Sequence, residues 1–212
     1  AVLEAGDGVG GRVRTDSVDG FLLDRGFQIF LTSYPEVLAT LDYGKLDLRP
    51  FYAGAKVWWQ GSFHQVADPF RHPVDGVLSL TNPIGSVLDK VLVGVFRLKT
   101  LLGSLDSLMS RPETTIAQRL SAEGFSERMV KTFFRPFLGG IFFDRSLGTS
   151  SRLFEFVMRM LATGANCLPA NGIGAVAEQM ADGLDVRLGM RVTSVTPASG
   201  SALSSVSTAD GA

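Results

Sequence analysis

Apolar and polar positions alternate between two periods along this chain, and the switches mark its elements. Val2-Leu3-Glu4-Ala5 is a short apolar run ending in an acid, which reads as a strand. Gly6-Asp7-Gly8-Val9-Gly10-Gly11 follows, and four glycines in six residues read as a loop. Residues 12–15 resume an extended pattern, and Asp19-Gly20 turns the chain into a strand over 21–24. Ser33 is placed to cap a helix over 35–41, with Pro35 early in it. Residues 55–59 and 62–66 around Gln60-Gly61 read as a hairpin, and the Pro- and Gly-rich stretch 68–82 as irregular.

The longest helical period runs from 83 to 105, with Val87, Leu88, Val91, Leu92, Val95, Leu98 and Leu102 recurring at three and four residues. Asp89, Lys90, Arg97 and Lys99 interrupt it, which argues against a transmembrane span. A core helix is the reading preferred here. The alternative is an amphipathic helix lying on a membrane, because three of those charges are basic. Helices are expected over 114–123, ending at Gly124, over 126–134, ended by Pro136, and over 151–162, capped by Ser150 or Ser151. Residues 166–172 read as a loop, 173–184 as a helix, and 185–188 and 190–196 as strands. A tail over 197–212, rich in Ala, Ser, Gly and Thr, reads as flexible.

The order of strands and helices points to an α/β chain, with an α+β middle part. Its 212 residues, 45% of them hydrophobic, suit one large domain or two small ones. The net charge of -1, without a Lys/Arg stripe, speaks against a nucleic-acid partner. The single cysteine, Cys167, forms no internal disulfide, and His64 and His72 lack a second ligand pair at metal-binding spacing, so no metal site is expected. No targeting peptide is visible.

A parallel strand ending in an acid beside a glycine loop is half of a dinucleotide site. In the Rossmann arrangement that acid accepts hydrogen bonds from ribose hydroxyls. Residues 3–15 carry Leu3-Glu4-Ala5, then Gly10-Gly11-Arg12, then Thr15. This resembles, without a gap, the L-E-A-x-x-x-x-G-G-R-x-x-T signature of the flavin amine oxidase superfamily. That superfamily includes monoamine and polyamine oxidases, protoporphyrinogen oxidase, phytoene desaturases and carotene isomerases.

The stretch from Gly20 to Gln28 looks like the family's G-F-x-x-D-x-G strand. Residues 135–142 resemble the P-F-x-x-G-v-y segment of the desaturase and protoporphyrinogen oxidase branches. Pro169-Ala170-Asn171-Gly172 is similar to the family's P-x-G-G, and 186–195 to its paired strands.

The resemblance implies a partial Rossmann-type FAD-binding domain with an inserted substrate domain. Residues 1–50 would form part of the FAD-binding domain, 51–165 the helix-rich substrate domain with its hairpin, and 166–196 the return. It implies FAD as cofactor, with Glu4 on the adenosine ribose, and Gly10, Gly11 and Arg12 on the diphosphate. Arg14 is a weaker candidate there. Arg25 and Gly26 would lie near the flavin ring, Arg25 alternatively in a surface salt bridge, and backbone at Val192 would meet adenine. No catalytic base is assigned, since the flavin carries the chemistry.

The motif spacing favours the desaturase and isomerase side, hence an apolar small-molecule substrate of isoprenoid type and a plastid setting. Phe133, Phe134, Phe137, Phe142 and Phe143 could line a channel for it or belong to the core. The family also has a G-x-G-x-x-G loop about 20 residues before the acid and a flavin-closing G-D motif near its end. The 212 residues show neither, and the chain reads as incomplete at both ends. Two readings therefore stand: an FAD-dependent oxidoreductase, or a flavin-free structural or interaction subunit of a larger, membrane-associated assembly.

Overall fold

A computed structural model describes residues 1–26, 29–198 and 204–209. Helices and strands intermix along it, as an α/β chain requires. It divides into two compact units, one of residues 1–50 with 167–212 and the other of residues 51–166.

In the first unit, strand Val2–Leu3 pairs in parallel with Val186–Arg187. Thr15–Val18 and Phe21–Asp24 form an antiparallel hairpin. Its turn residues Asp19 and Gly20 both have positive φ (50° and 83°), matching the right-handed twist of the strands. Phe27 and Gln28, the last residues of the stretch resembling G-F-x-x-D-x-G, lie outside the described residues.

Asn166–Pro169 is a strand, not the expected loop. It is the middle member of a three-stranded sheet between Phe30–Leu31 and Leu48–Pro50. Its side chains alternate with a period of two, burying Cys167 and Pro169, and that burial outweighs the turn tendency of Asn166 and Pro169. Phe30, Leu46, Cys167 and Ile173 form the unit's core. The helix Pro35–Thr40 has Tyr34, not Ser33, at its N-cap position. The expected flexible tail instead carries a strand, Ser205–Thr208, antiparallel to Val192–Thr196. Valine and threonine give it the β-branched content a pleated pair favours. Residues 199–203 and 210–212 of that tail lie outside the described residues.

The second unit opens on the expected hairpin, Gly54–Trp59 with Ser62–Ala67 around Gln60-Gly61. The stretch 68–82 is not irregular throughout, because Pro73–Ser79 is helical. Pro73 starts it, and Ser79 Oγ latches its end by accepting from the Ala67 amide (3.1 Å) and donating to the Asp75 carbonyl (2.7 Å). The long helical period splits into Val87–Leu101 and Leu105–Met109, because Gly103 takes φ 79° and Ser104 caps the second helix.

The first of these helices does not bury the expected face. Val87, Leu88, Val91, Val95, Leu98 and Leu102 are exposed, whereas Asp89, Phe96 and Thr100 are buried. Pro136 does not end a helix either. The chain runs from Glu127–Met129 through a π-helical turn, Val130–Phe134, into Arg135–Phe142. In that turn the Arg135 amide donates to the Val130 carbonyl, five residues back, which resets the register ahead of a proline that has no amide hydrogen. The helix Ser151–Thr163 starts as expected and lays Phe154 flat on Phe96, with ring centroids 5.1 Å apart. Phe134 is core, while Phe143 stands exposed with φ 52°.

Candidate functional site

The motif-bearing residues of the first unit gather around the parallel pair. The Glu4 amide donates to the Arg187 carbonyl (3.0 Å), and the Glu4 carbonyl accepts from Met190 (2.8 Å). Strand pairing therefore fixes the acid where the strand ends. Glu4 Oε1 accepts from the Gly6 amide at 2.6 Å, and among the described residues no bond falls on Oε2. The Gly189 amide donates to the Gly6 carbonyl (3.0 Å), which leads the chain past Glu4 towards Val192. Val192 is half-exposed and pairs with Thr208 at a register irregularity.

Beyond Gly6 the loop is built from close approaches. A Cβ at Gly10 (φ 96°) would lie 2.3 Å from the Val13 carbonyl oxygen and 2.8 Å from Ala177 Cβ, so only glycine lets helix Gly174–Ala181 pack there. Gly11 also has positive φ (54°) but faces open space. Arg12 is exposed and makes no ion pair among the described residues.

The other two arginines are engaged. Arg14 Nη1 donates to Asp7 (2.6 Å), and its guanidinium covers Gly8. Arg25 grips Asp16 with two bonds of 2.6 Å. That bond holds the Asp16 carboxyl below its ordinary value and raises the Arg25 guanidinium above its own. The surface salt bridge is thus the geometry of Arg25 in this structure. Gly26 (φ 94°) faces open space.

Three motif stretches far apart in sequence meet at one point. Thr15 Oγ1 donates to Asp24 Oδ1 (2.6 Å). The same oxygen accepts from the Ile173 amide (3.0 Å), and Thr15 Oγ1 accepts from the Gly174 amide (2.8 Å). Thr15 closes the glycine-arginine signature, Asp24 ends the strand Phe21–Asp24, and 172–174 follow the strand that ends at Pro169. Sequence reasoning assigned no role to Thr15 or Asp24, although both are fixed letters of the quoted patterns. They are the latch that holds the glycine loop against helix Gly174–Ala181.

An acid at a parallel strand end, open space at Gly11 and, among the described residues, one carboxylate oxygen without a bond and no ion pair at Arg12 suit a ribose and a diphosphate. These residues fit the adenosine side of a dinucleotide. Among the described residues no cluster of His, Cys, Asp and Glu could hold a metal ion. No helix among them is long and apolar enough to cross a membrane.

The model of the flavin-containing amine oxidoreductases matches residues 1–212. Among solved structures, a double mutant of putrescine oxidase, from a structure-based redesign of its cofactor binding, aligns over all of this chain. It does so with TM-score 0.62 and 17% identity, and the chain covers 49% of it. A single mutant of the same enzyme aligns over 92% of the chain with TM-score 0.58 and 18% identity, with 46% of it covered. The chain spans about half the length of these structures, and at such identities the likeness is one of fold. No curated protein matches the chain.

Proposed function

The chain belongs to the flavin-containing amine oxidoreductase family, and from that premise we propose that it forms the adenosine-diphosphate side of the FAD site of an oxidoreductase. Glu4 would hold the adenosine ribose through its free carboxylate oxygen. Gly10, Gly11 and Arg12 would hold the diphosphate, and backbone at Val192 would meet adenine. Arg14 and Arg25 join less readily, because each would first leave an aspartate. Those pairs lie at the surface, where water screens them and an ion pair is worth little. Gly26 would leave room for the flavin ring. When bound, the flavin takes a hydride equivalent from substrate and passes the electrons on.

The observation that carries the proposal is the Glu4–Gly6 contact. It aims an acid at the end of a parallel strand and, among the described residues, leaves one of its oxygens without a bond beside an open glycine-arginine loop. For the substrate, we infer an apolar molecule of isoprenoid type and a desaturation or isomerisation, with residues 51–165 as the substrate domain. The likeness of residues 135–142 to the desaturase segment supports this, and a plastid setting is proposed along with that branch.

The test is to add FAD to the purified chain, remove free cofactor and record the visible spectrum. Flavin bands are expected, and Arg12→Ala should weaken binding about 10- to 100-fold, as loss of a charge-assisted bond does. A colourless chain would overturn flavin binding and favour the flavin-free interaction subunit.

A further inference from the structure

We propose that the outward faces of helices Pro73–Ser79 and Val87–Leu101 form a docking surface for an anionic lipid bilayer. The sequence period of the longer helix is that of a buried stripe, yet its apolar stripe faces solvent. Leu88 is 66% exposed, Val91 53% and Leu98 52%. On the shorter helix Val74, Val77 and Leu78 are 73%, 64% and 63% exposed. The longer helix is tied to the segments at both ends of the shorter one. Lys90 Nζ donates to the Leu80 and Asn82 carbonyls (2.9 and 2.7 Å) just past the end of the first helix, and the Arg97 guanidinium lies 4.2 Å from the Phe70 ring just before its start. Apolar faces on two adjacent helices are more than the scattered exposed apolar residues of an ordinary surface.

Charge decides the occupant. The carboxylates of both helices turn away from this face: Asp75 accepts from the Tyr52 hydroxyl, and Asp89 from Ser86 and Ser126. The flanks are cationic. Lys90, next to Asp89, is held by carbonyls, and Arg159 by the Gly103 carbonyl (2.8 Å) beyond the helix end; among the described residues neither is in an ion pair, whereas Arg97 and Lys99 pair with Asp68 and Glu123. Residues 51–166 carry 13 Lys and Arg against nine Asp and Glu, although the whole chain is at -1. An apolar helix face with basic flanks suits the boundary between acyl chains and anionic headgroups. A symmetric second copy would bring the same cations face to face. The inference rests on this face alone and is independent of flavin binding.

The experiment is flotation of the 212-residue chain with vesicles of phosphatidylcholine alone and of phosphatidylcholine with phosphatidylglycerol. The chain is expected to float with the mixed vesicles, less so as salt is raised. A Leu88→Glu, Leu98→Glu double variant should bind at least about tenfold more weakly. It should keep the parent's circular dichroism, because both positions already face solvent; Val77→Glu on the other helix gives a second reading. Four results would each overturn the proposal: no flotation, equal flotation with phosphatidylcholine alone, face variants that float like the parent, or a dimer in solution that the double variant dissociates.

Discussion

Gly10 and Gly172 show why single residues in this chain resist substitution even where nothing polar is lost. Each has positive φ and a neighbour where a Cβ would fall: the Val13 carbonyl at 2.3 Å for Gly10, and the Thr15 side chain at 2.4 Å for Gly172. Gly10→Ala is therefore expected to lower stability by about 2 kcal/mol or more, read from denaturant unfolding. Arg12 is exposed and has no ion pair among the described residues, so Arg12→Ala should leave stability within about 0.5 kcal/mol. That contrast separates the loop's architecture from its ligand chemistry. Asp24→Ala strips acceptors from Thr15 and the Ile173 amide and should cost about 1–3 kcal/mol. Cys167 is buried in the core of the first unit, and burial pushes its thiol up. It should therefore resist alkylation until the chain unfolds; rapid labelling of the folded protein would contradict that placement. Glu4 and Gly10-Gly11-Arg12 were legible from residue type and spacing. The latch was not, because its partners lie 149 residues apart and one of them is a backbone amide.

Among the elements, Val87–Leu101 carries the clearest lesson. Its helical period was readable, but the expected start at residue 83 was too early, because Ser86 and Asp89 form a capping box that begins the helix at Val87. Which face it buries was not readable, because hydrophobic period identifies a stripe without saying what covers it. The buried side is polar at its centre. Asp89 is 1% exposed and accepts from the amides and hydroxyls of Ser86 and Ser126, so one carboxylate starts two helices. Burial alone would raise the Asp89 carboxyl, but those donated bonds outweigh it and hold it below the ordinary 3.8. A lowered folded value means that its stabilising contribution is present above that ordinary value and is lost as pH falls through the lowered one. Asp89→Ala should cost about 2–4 kcal/mol by leaving buried donors unpaired, and Asp89→Asn should flatten the acid limb of the stability curve. The expected stop at Pro136 failed for a related reason: a π-turn absorbs a proline whose local rule is to break a helix.

For the whole molecule, the α/β class and the flavin family were readable, because glycine-arginine signatures survive where overall identity does not. Strand Asn166–Pro169 was not, since its neighbours Phe30–Leu31 and Leu48–Pro50 come from over 100 residues earlier and no local pattern announces them. What the chain does as a whole turns on whether its glycine loop recognises the adenosine half of the cofactor rather than the flavin half. The most direct measurement is calorimetric titration of the purified chain with ADP-ribose, with FMN as comparator. The account expects ADP-ribose to bind and FMN not to, with ADP-ribose affinity falling about 10- to 100-fold in Arg12→Ala and by a smaller factor in Glu4→Ala. Binding of FMN alone, or ADP-ribose binding that ignores both substitutions, would contradict it.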